Sequence, residues 1–458
     1  VKPVTGIEPG AMHELRVVEA ELNERWPETV IEPSLDRIRA LTDLLANPQR
    51  GYPVVHIAGT NGKSSTSRMV DGLLGRIGLR VGRYTSPHLQ LATERISIDG
   101  APISPENYVE AYRDVAPYVQ LVDQQHDVAM SKFEVLTGMA FAAFADAPVE
   151  AAVLEVGLGG GWDATNVADA DVAVICPISY DHAEYLGTEL AGIAREKAGV
   201  IKPGSVVVMA QQEPEAQQVV LDKVAEVDAT VAREGHEFGV LERTVAVGGQ
   251  IVKLQGLGGE YDEIFLPLHG EHQARNAALA LAATEAFFGA GKGHQLELES
   301  VREGFAGVLT PGRLERVRAA PAVLVDSAHN PHGARALAEA LSSEFSFRRL
   351  VAVVSVLEEK DAVGILQALE PVVEELVLTR NSSPRAVHPD DLAALAKDVF
   401  GPDRIVVEPR LDDAVESAIG MAEEVSDPSE SVSGGGVLIT GSVVTAGEGR
   451  ALFGKEPA

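Results

Sequence analysis

The sequence predicts an α/β protein in two parts. The first is a mostly parallel sheet domain with a phosphate loop and a small antiparallel appendage; the second is a doubly wound, Rossmann-like α/β domain. Three observations predict it. Short apolar runs ("YPVVHIA", "EAAVLEVG", "DVAVICPIS") alternate with stretches of helical periodicity, the rhythm of parallel strands covered by helices on both faces. Between residues 237 and 267 that rhythm gives way to short alternating segments broken by glycines, "FGVLERTVAVGGQIVKLQGLGG". After "GVLTPGRLE" at 307–315 a fresh strand–helix alternation begins and runs to the end.

The elements follow in order. The acidic, poorly patterned stretch before residue 33 reads as a helix plus a loop. "LDRIRALTDLLA" puts Leu35, Ile38, Leu41, Leu44 and Leu45 at helical spacing. "YPVVHIA" is a short buried strand, and from Lys63 a helix carries Met69, Val70, Leu73, Leu74 and Ile77 on one face to a stop at Gly78. "LRVGRYTS" is the next strand and "FEVLTGMAFAAFAD" a helix; a helix over 190–201 and the long helix "HQARNAALALAATEAFF" flank the appendage. In the second domain, strands at "PAVLVDSAHN", "LVAVVSVL", "ELVLTR", "RIVVEP" and "GVLITGS" alternate with helical stretches, and the tail at 423–436 reads as a solvated loop. The expected boundaries are a phosphate-loop domain over 1–308, a hinge at 309–313 and a Rossmann-like domain over 314–458.

Composition narrows the classes. A chain of 458 residues has room for about two to three domains with separate cores. No stretch is long and apolar enough to span a bilayer, and the N-terminal residues lack signal-peptide form, so no membrane partner is expected. The single Cys176 forbids an intrachain disulfide and suits a reducing compartment; the expected location is cytoplasmic. A net charge of −30 argues against a general nucleic-acid surface. Any anion must therefore be held by local, pre-aimed donors.

"HIAGTNGKSSTS" supplies such donors. A strand ending at Ala58, a glycine turn and a helix from Lys63 aim backbone N–H groups and a helix dipole at one point. Gly59 and Gly62 let the backbone approach an anion, with Thr60 and Asn61 between them. Lys63 is a point charge for β/γ phosphates, and Ser64 or Ser65 can donate to phosphate or hold magnesium. The usual phosphate-loop pattern has a glycine where Ile57 stands, so this loop is a shorter form.

Glu155 ends a strand and His182 follows the next one, both at the carboxyl edge where open α/β sheets bind ligands. Two metal-capable side chains at adjacent strand ends suggest a divalent cation; an exposed carboxylate and an ordinary loop histidine are the alternatives. Lys197 shares its helix face with Leu190, Ile193, Val200 and Ile201. A lysine in such a stripe must snorkel out, beside Glu196 or Glu189, or lose its proton, or find a partner.

The shortened loop "AGTNGKS" resembles the Mur ligase superfamily, whose members make amide bonds with ATP. "YTSPHLQLATERI", "EVGLGGGWDATN", "DHAEYLG…IAREKAGVIKPG", "HQARNA", "PGRLE" and "DSAHNPHG" resemble, in order, the folylpolyglutamate synthase and bifunctional dihydrofolate synthase family. The likeness covers the chain from about residue 34 onward; Ser64, Gly161, Trp162 and Ser327 depart from the family's usual residues.

That resemblance implies a cytoplasmic ligase that adds L-glutamate to reduced folates and to dihydropteroate, using ATP and two magnesium ions. It implies that Ser86 and Glu155 hold one ion, and that Glu155, His182 and a carbamylated Lys197 serve the second. Asn276, Arg313 and Asp326 would reach the nucleotide beside the loop residues. His329 would position or take a proton from the amine, making Lys63, Lys197 and His329 the catalytic set. Ser131, Phe133, Trp162, Asp163 and Ala164 would line the pterin end, although Phe133 also reads as core. Lys360, Asp361 and Ser442 are further candidates near the glutamate. Other readings of Arg313, Asp326 and His329 are a salt bridge with Glu315, helix capping and loop packing. The rival functions are a Mur-type cell-wall ligase, a non-catalytic ATP-binding regulator and a nucleoside kinase. Fewer than about sixty residues precede Gly59, too few for the extra domain usual in a cell-wall ligase. Nothing in the sequence requires more than a monomer.

Overall fold

The computed structural model describes residues 9–26, 32–289, 291, 293–424 and 434–458. Its first sheet has eight strands: β1 (Val54–Ala58), β2 (Val81–Tyr84), β3 (Ile96–Ile98), β4 (Ala101–Pro102), β5 (Ala151–Glu155), β6 (Val172–Ile175), β7 (Val206–Met209) and β8 (Thr230–Arg233). Across the sheet they run β4-β3-β2-β5-β1-β6-β7-β8. The strands from β2 to β8 are parallel, while β3 and β4 make an antiparallel edge.

Burial on both faces explains the continuous apolar runs. Val55 and Ile57 join Met69, Val70 and Leu73 of the helix Lys63–Ile77 and Ala277 to Ala283 of the helix Glu271–Phe287. The opposite face, with Val54 and Leu154, meets Ile38, Leu41, Tyr108 and Val135. The predicted stripe over 35–46 holds except at Leu44, which is exposed.

The expected appendage is β9 (Gly239–Ala246), β10 (Gly249–Gln255) and β11 (Glu260–Leu266), antiparallel throughout. Val252, Leu254, Tyr261, Ile264 and Leu266 turn inward and join the first core. The second sheet comprises β12 (Glu315–Ala319), β13 (Ala322–Val325), β14 (Arg349–Val354), β15 (Glu375–Arg380), β16 (Ile405–Arg410) and β17 (Gly435–Thr440). Its order is β12-β13-β17-β14-β15-β16, parallel apart from the edge strand β12.

Two expectations need correction. The helix expected over 190–201 ends at Ala198, and Val200 and Ile201 are buried beyond it. The solvated loop expected over 423–436 lies mainly outside the described residues, but Gly435 and Gly436 are buried in β17. A Cβ at Gly436 would stand 2.6 Å from the Phe347 ring, so the glycine there serves packing rather than loop freedom.

Candidate functional site

β1 lies between β5 and β6, with Ile57 opposite Glu155 and Ala58 opposite Ile175. The loop leaving β1 is therefore flanked by Glu155 on one side and by the segment after β6 on the other. Gly59 (φ 144°) and Gly62 (φ 88°) occupy the left-handed region. A Cβ on Gly59 would stand 2.5 Å from Cys176 Cβ, and one on Gly62 would stand 2.7 Å from Asn276 Oδ1. The loop is pinned from below: the Thr60 N–H donates to the Pro177 carbonyl at 2.9 Å, and Thr60 Oγ1 donates to the Ser179 carbonyl at 3.0 Å.

Two lysines converge on this loop. Lys63 Nζ donates to the carbonyls of Gly59 at 3.0 Å and Thr60 at 3.3 Å. Lys197 Nζ donates to the same Gly59 carbonyl at 3.0 Å. Lys197 is buried and does not snorkel toward Glu196 or Glu189. Burial, then the Lys63 charge, lowers its basicity to about 7, against the opposing pull of Asp181 and Asp163. Burial thus favours the neutral amine over the ammonium.

Glu155 is 1 % exposed. Its Oε1 accepts from Ser64 Oγ at 2.8 Å, while Oε2 is buried with no hydrogen-bond partner. Burial pushes its pKa up, against Lys63, Ser64 and Arg313. A buried carboxylate oxygen without a donor, beside a serine hydroxyl, fits a hard divalent cation that keeps waters and phosphate oxygens in its shell. Among the described residues no three His, Cys, Asp or Glu side chains converge on a metal position. A second ion would therefore depend on substrate oxygens and on Lys197 becoming anionic.

His182 adopts φ 51°, uncommon outside glycine. Burial lowers its pKa to about 3, so the ring is neutral and can act as a ligand. Beside it lies Asp181, which sequence reasoning quoted but gave no role. Asp181 Oδ1 accepts from Lys360 Nζ at 2.7 Å, and Oδ2 accepts from Asn330 Nδ2 at 3.0 Å and lies 3.6 Å from His329 Nε2. Lys360 Nζ is also 3.3 Å from His182 Nε2. Asn330 Nδ2 donates to Asn61 Oδ1 at 3.1 Å, and Asn61 meets His332 Nδ1 at 2.9 Å. The phosphate loop and Asp181 of the first sheet thus face Asn330, His329 and Lys360 of the second.

The remaining candidates divide. Arg313 Nη1 bonds the Ser327 hydroxyl; Glu315 pairs with Arg450 at 2.7 Å and not with Arg313. Both Asp326 oxygens are committed to backbone, accepting from Leu314 and Ala328 at 2.8 Å. His329 Nδ1 meets the Ser327 carbonyl at 3.0 Å. Asn276 is buried against Gly62 and bonded to Gln273 at 3.2 Å. Asp361 caps a helix by accepting from Gly364 at 2.8 Å, and Ser442 caps another by accepting from Thr445 at 3.0 Å.

Between the sheets lies a cavity of about 300 Å³. Phe133, Trp162 and Ala164 line it together with Ser86, His182, His329 and Lys360. Ser131, also on the wall, forms a capping box with Glu134 at the start of the helix Lys132–Asp146. Asp163 shapes the glycine turn: it accepts from the N–H groups of Gly157 at 3.1 Å, Leu158 at 3.0 Å and Thr165 at 2.9 Å. Two ion pairs on the wall, Arg37–Glu134 at 3.0 Å and Arg385–Glu359, were missed. The "SKFE" capping pattern could have pointed to Glu134; nothing local pairs it with Arg37.

Comparison with known proteins agrees. The Mur ligase middle domain matches residues 57–284, and the Mur ligase glutamate ligase domain matches 312–443. The chain is 57 % identical over 466 aligned positions to the dihydrofolate synthase/folylpolyglutamate synthase of Mycobacterium tuberculosis, covering 98 % of this chain and 96 % of that one. The structure of Mycobacterium tuberculosis folylpolyglutamate synthase complexed with ADP superposes with a TM-score of 0.94 at 56 % identity, covering 98 % and 100 %. The E. coli FolC structure in complex with DHPP and ADP superposes at 0.83 with 28 % identity, covering 98 % and 99 %.

Proposed function

This chain belongs to the dihydrofolate synthase/folylpolyglutamate synthase family of Mur ligases, and we propose the following course for its reaction. The activity is ATP-dependent ligation of glutamate to folates. We extend the acceptors to dihydropteroate as well as tetrahydrofolates; the relative bound to DHPP supports this. A Mur-type cell-wall ligase is the less favoured reading. The observation that carries the proposal is the cavity where Ser86 and His182 of the first sheet face His329 and Lys360 of the second.

A carboxylate does not condense with an amine at neutral pH, because its leaving group is too poor. The acceptor carboxylate therefore attacks the terminal phosphorus of ATP, and the bond to the ADP oxygen breaks, leaving an acyl phosphate and ADP. The backbone amides of 59–65, with Lys63, Ser65 and Asn276, hold the phosphates and spread the developing charge. The glutamate amine then forms the C–N bond, the C–O bond to phosphate breaks with its electron pair, and the amine proton passes to His329 Nε2. Magnesium would be held by Glu155 with Ser64 and Ser86, and at a second position by Glu155, His182 and a carbamylated Lys197, and would supply charge neutralisation at the phosphates. The lowered basicity of Lys197 supports that modification.

The pterin end is assigned to Phe133, Trp162 and Ala164, with Ser131 and Asp163 holding its walls. Residues 1–308 and 314–458 are read as domains that close through a hinge at 309–313, bringing Arg313 and Asp326 toward the nucleotide and excluding water from the acyl phosphate. No helix among the described residues is long and apolar enough to cross a membrane; separately, we infer a monomer that acts in the cytoplasm. The test is ADP release with ATP and glutamate, comparing dihydropteroate, tetrahydrofolate and no acceptor. A heavy-oxygen label in the acceptor carboxylate should appear in the released phosphate. Unlabelled phosphate would rule out the acyl-phosphate step.

A further inference from the structure

A second, smaller cavity of about 50 Å³ lies next to the first, sharing Pro87, His88 and Val443 as a common wall. Since one water needs roughly 10–15 Å³ of such space, the cavity takes a few waters or one small polyatomic ion. Ser65 and Arg68 of the phosphate-loop helix, Thr85, Thr310 and Arg313 line it, with Ser327 from the second domain. Thr310, one of the lining residues, is 7 % exposed, and its Oγ1 has no hydrogen-bond partner.

The charge balance favours an anion. Arg68 donates to the backbone oxygens of Leu309 at 3.4 Å and Ala458 at 2.7 Å, and a guanidinium has five N–H donors. Arg313 adds a second guanidinium. Glu94 is also on the wall, but its carboxylate accepts from the N–H groups of Leu89 at 2.7 Å, Gln90 at 3.2 Å and Leu91 at 3.2 Å. Burial lowers the Arg68 pKa to about 9, which leaves it cationic at neutral pH. Ser64, whose hydroxyl is bonded to Glu155, forms part of the same wall, so the cavity borders the place assigned to the terminal phosphate.

We propose that this cavity is an oxyanion subsite that takes inorganic phosphate after it leaves the acyl phosphate, held by Arg68, Arg313 and the Thr310 hydroxyl. The role as a product subsite rests on the ligase reading above; the oxyanion chemistry does not. Phosphate resting there would vacate the acyl carbon, so that the back reaction with the new amide has no phosphate beside it.

The test is calorimetric titration of inorganic phosphate into the full chain saturated with ADP and magnesium, repeated with the methylene analogue of ATP in place of ADP. One phosphate should bind in both arms. Arg68→Met should weaken it by about tenfold or more and Thr310→Val by about threefold, the range for losing a charged and a neutral donor. No binding with ADP, or equal binding in both variants, overturns the subsite. Binding with ADP that vanishes with the analogue assigns phosphate to the nucleotide's own terminal position and overturns it too. If Arg68→Met fails to fold by thermal melting, Thr310→Val decides alone. Phosphate binding without glutamate-dependent ADP release would sink the ligase reading and leave the oxyanion site standing. Ligase activity without phosphate binding would do the reverse.

Discussion

His56 has no exposed surface although it sits in the strand that delivers the phosphate loop. Its Nε2 meets Thr165 Oγ1 at 2.8 Å, and Nδ1 has no partner. Burial, with a smaller push from Lys202, lowers its pKa to about 3, against 6.5 for a free ring. Between those values the unfolded chain binds a proton that the folded chain refuses. Its contribution to stability is therefore complete above about pH 6.5 and is lost as pH falls, by up to ~1.4 kcal/mol per pH unit. His56→Gln should flatten that dependence; urea midpoints for both proteins between pH 7 and pH 5 would show parallel slopes if the ring does not matter. Asp163, one hydrogen bond further along, makes a different prediction. Asp163→Asn replaces one of two acceptor oxygens by a donor, which must face either the Gly157 and Leu158 amides or the Thr165 amide and hydroxyl. The glycine turn should loosen, raising KM for the pteroate or folate at least about tenfold, as expected for leaving buried donors unmet, while affinity for ADP alone stays near wild type.

The helix Pro331–Glu344 is fastened to the first domain at both ends. Asn330 caps its start by accepting from Gly333 at 2.8 Å and donates to Asn61 of the phosphate loop. At its far end the fully buried Glu344 side chain accepts from the Gly270 N–H at 2.7 Å, meets His269 Nδ1 at 2.8 Å and pairs with Arg243 of β9. The antiparallel appendage thus gives the second domain a handhold far from the chemistry. Glu344→Ala leaves the Arg243 guanidinium with Gln250 alone, a change that approaches the cost of about 3–5 kcal/mol seen when a buried pair is broken. The expected outcome is a larger radius of gyration by small-angle scattering in the presence of the ATP analogue, with a fall in kcat. An unchanged radius would remove the handhold role. These elements also show what the sequence could carry. Helical periodicity, the Gly78 stop and the Ser131–Glu134 capping box are written in residues a few positions apart; the Gly78 stop is legible in the chain, and the periodicity is too except at Leu44 and past Ala198. Ser131 was read as a pterin contact, and its capping role went unrecognised. Asn61 and Asn330 are 269 positions apart, and no local pattern says that they meet. Gly435 and Gly436 looked like loop because glycine freedom and close packing leave the same letter in the chain.

At the scale of the molecule, two carboxyl edges face one another across the large cavity, and Asp181 is the carboxylate on which the second domain's donors converge. Lys360, Asn330 and His329 all reach it from the second domain. Burial opposes its ionisation, yet the contact with His329 and the Lys360 charge outweigh that and hold the carboxyl below the usual range. A depressed carboxyl stabilises the arrangement above its unfolded pKa and ceases to do so as pH falls through the folded value, so this contact is intact at neutral pH. Asp181→Asn keeps the shape and removes the charge. The Lys360 ammonium, 7 % exposed at its side chain, then lies beside the neutral His182 ring without a counter-charge. Lys360 should withdraw and the domains should meet less often in the closed arrangement. Because ATP is expected to bind mainly to the first domain while the amine is expected to enter from the second, the two substrates should respond differently. The affinity of the ATP analogue measured alone should change less than about threefold. The KM for glutamate should rise and kcat should fall, together on the order of a hundredfold, the scale of one broken buried pair. Equal losses in nucleotide affinity and glutamate KM would mean that Asp181 supports the phosphate loop itself and that the domain contact is incidental.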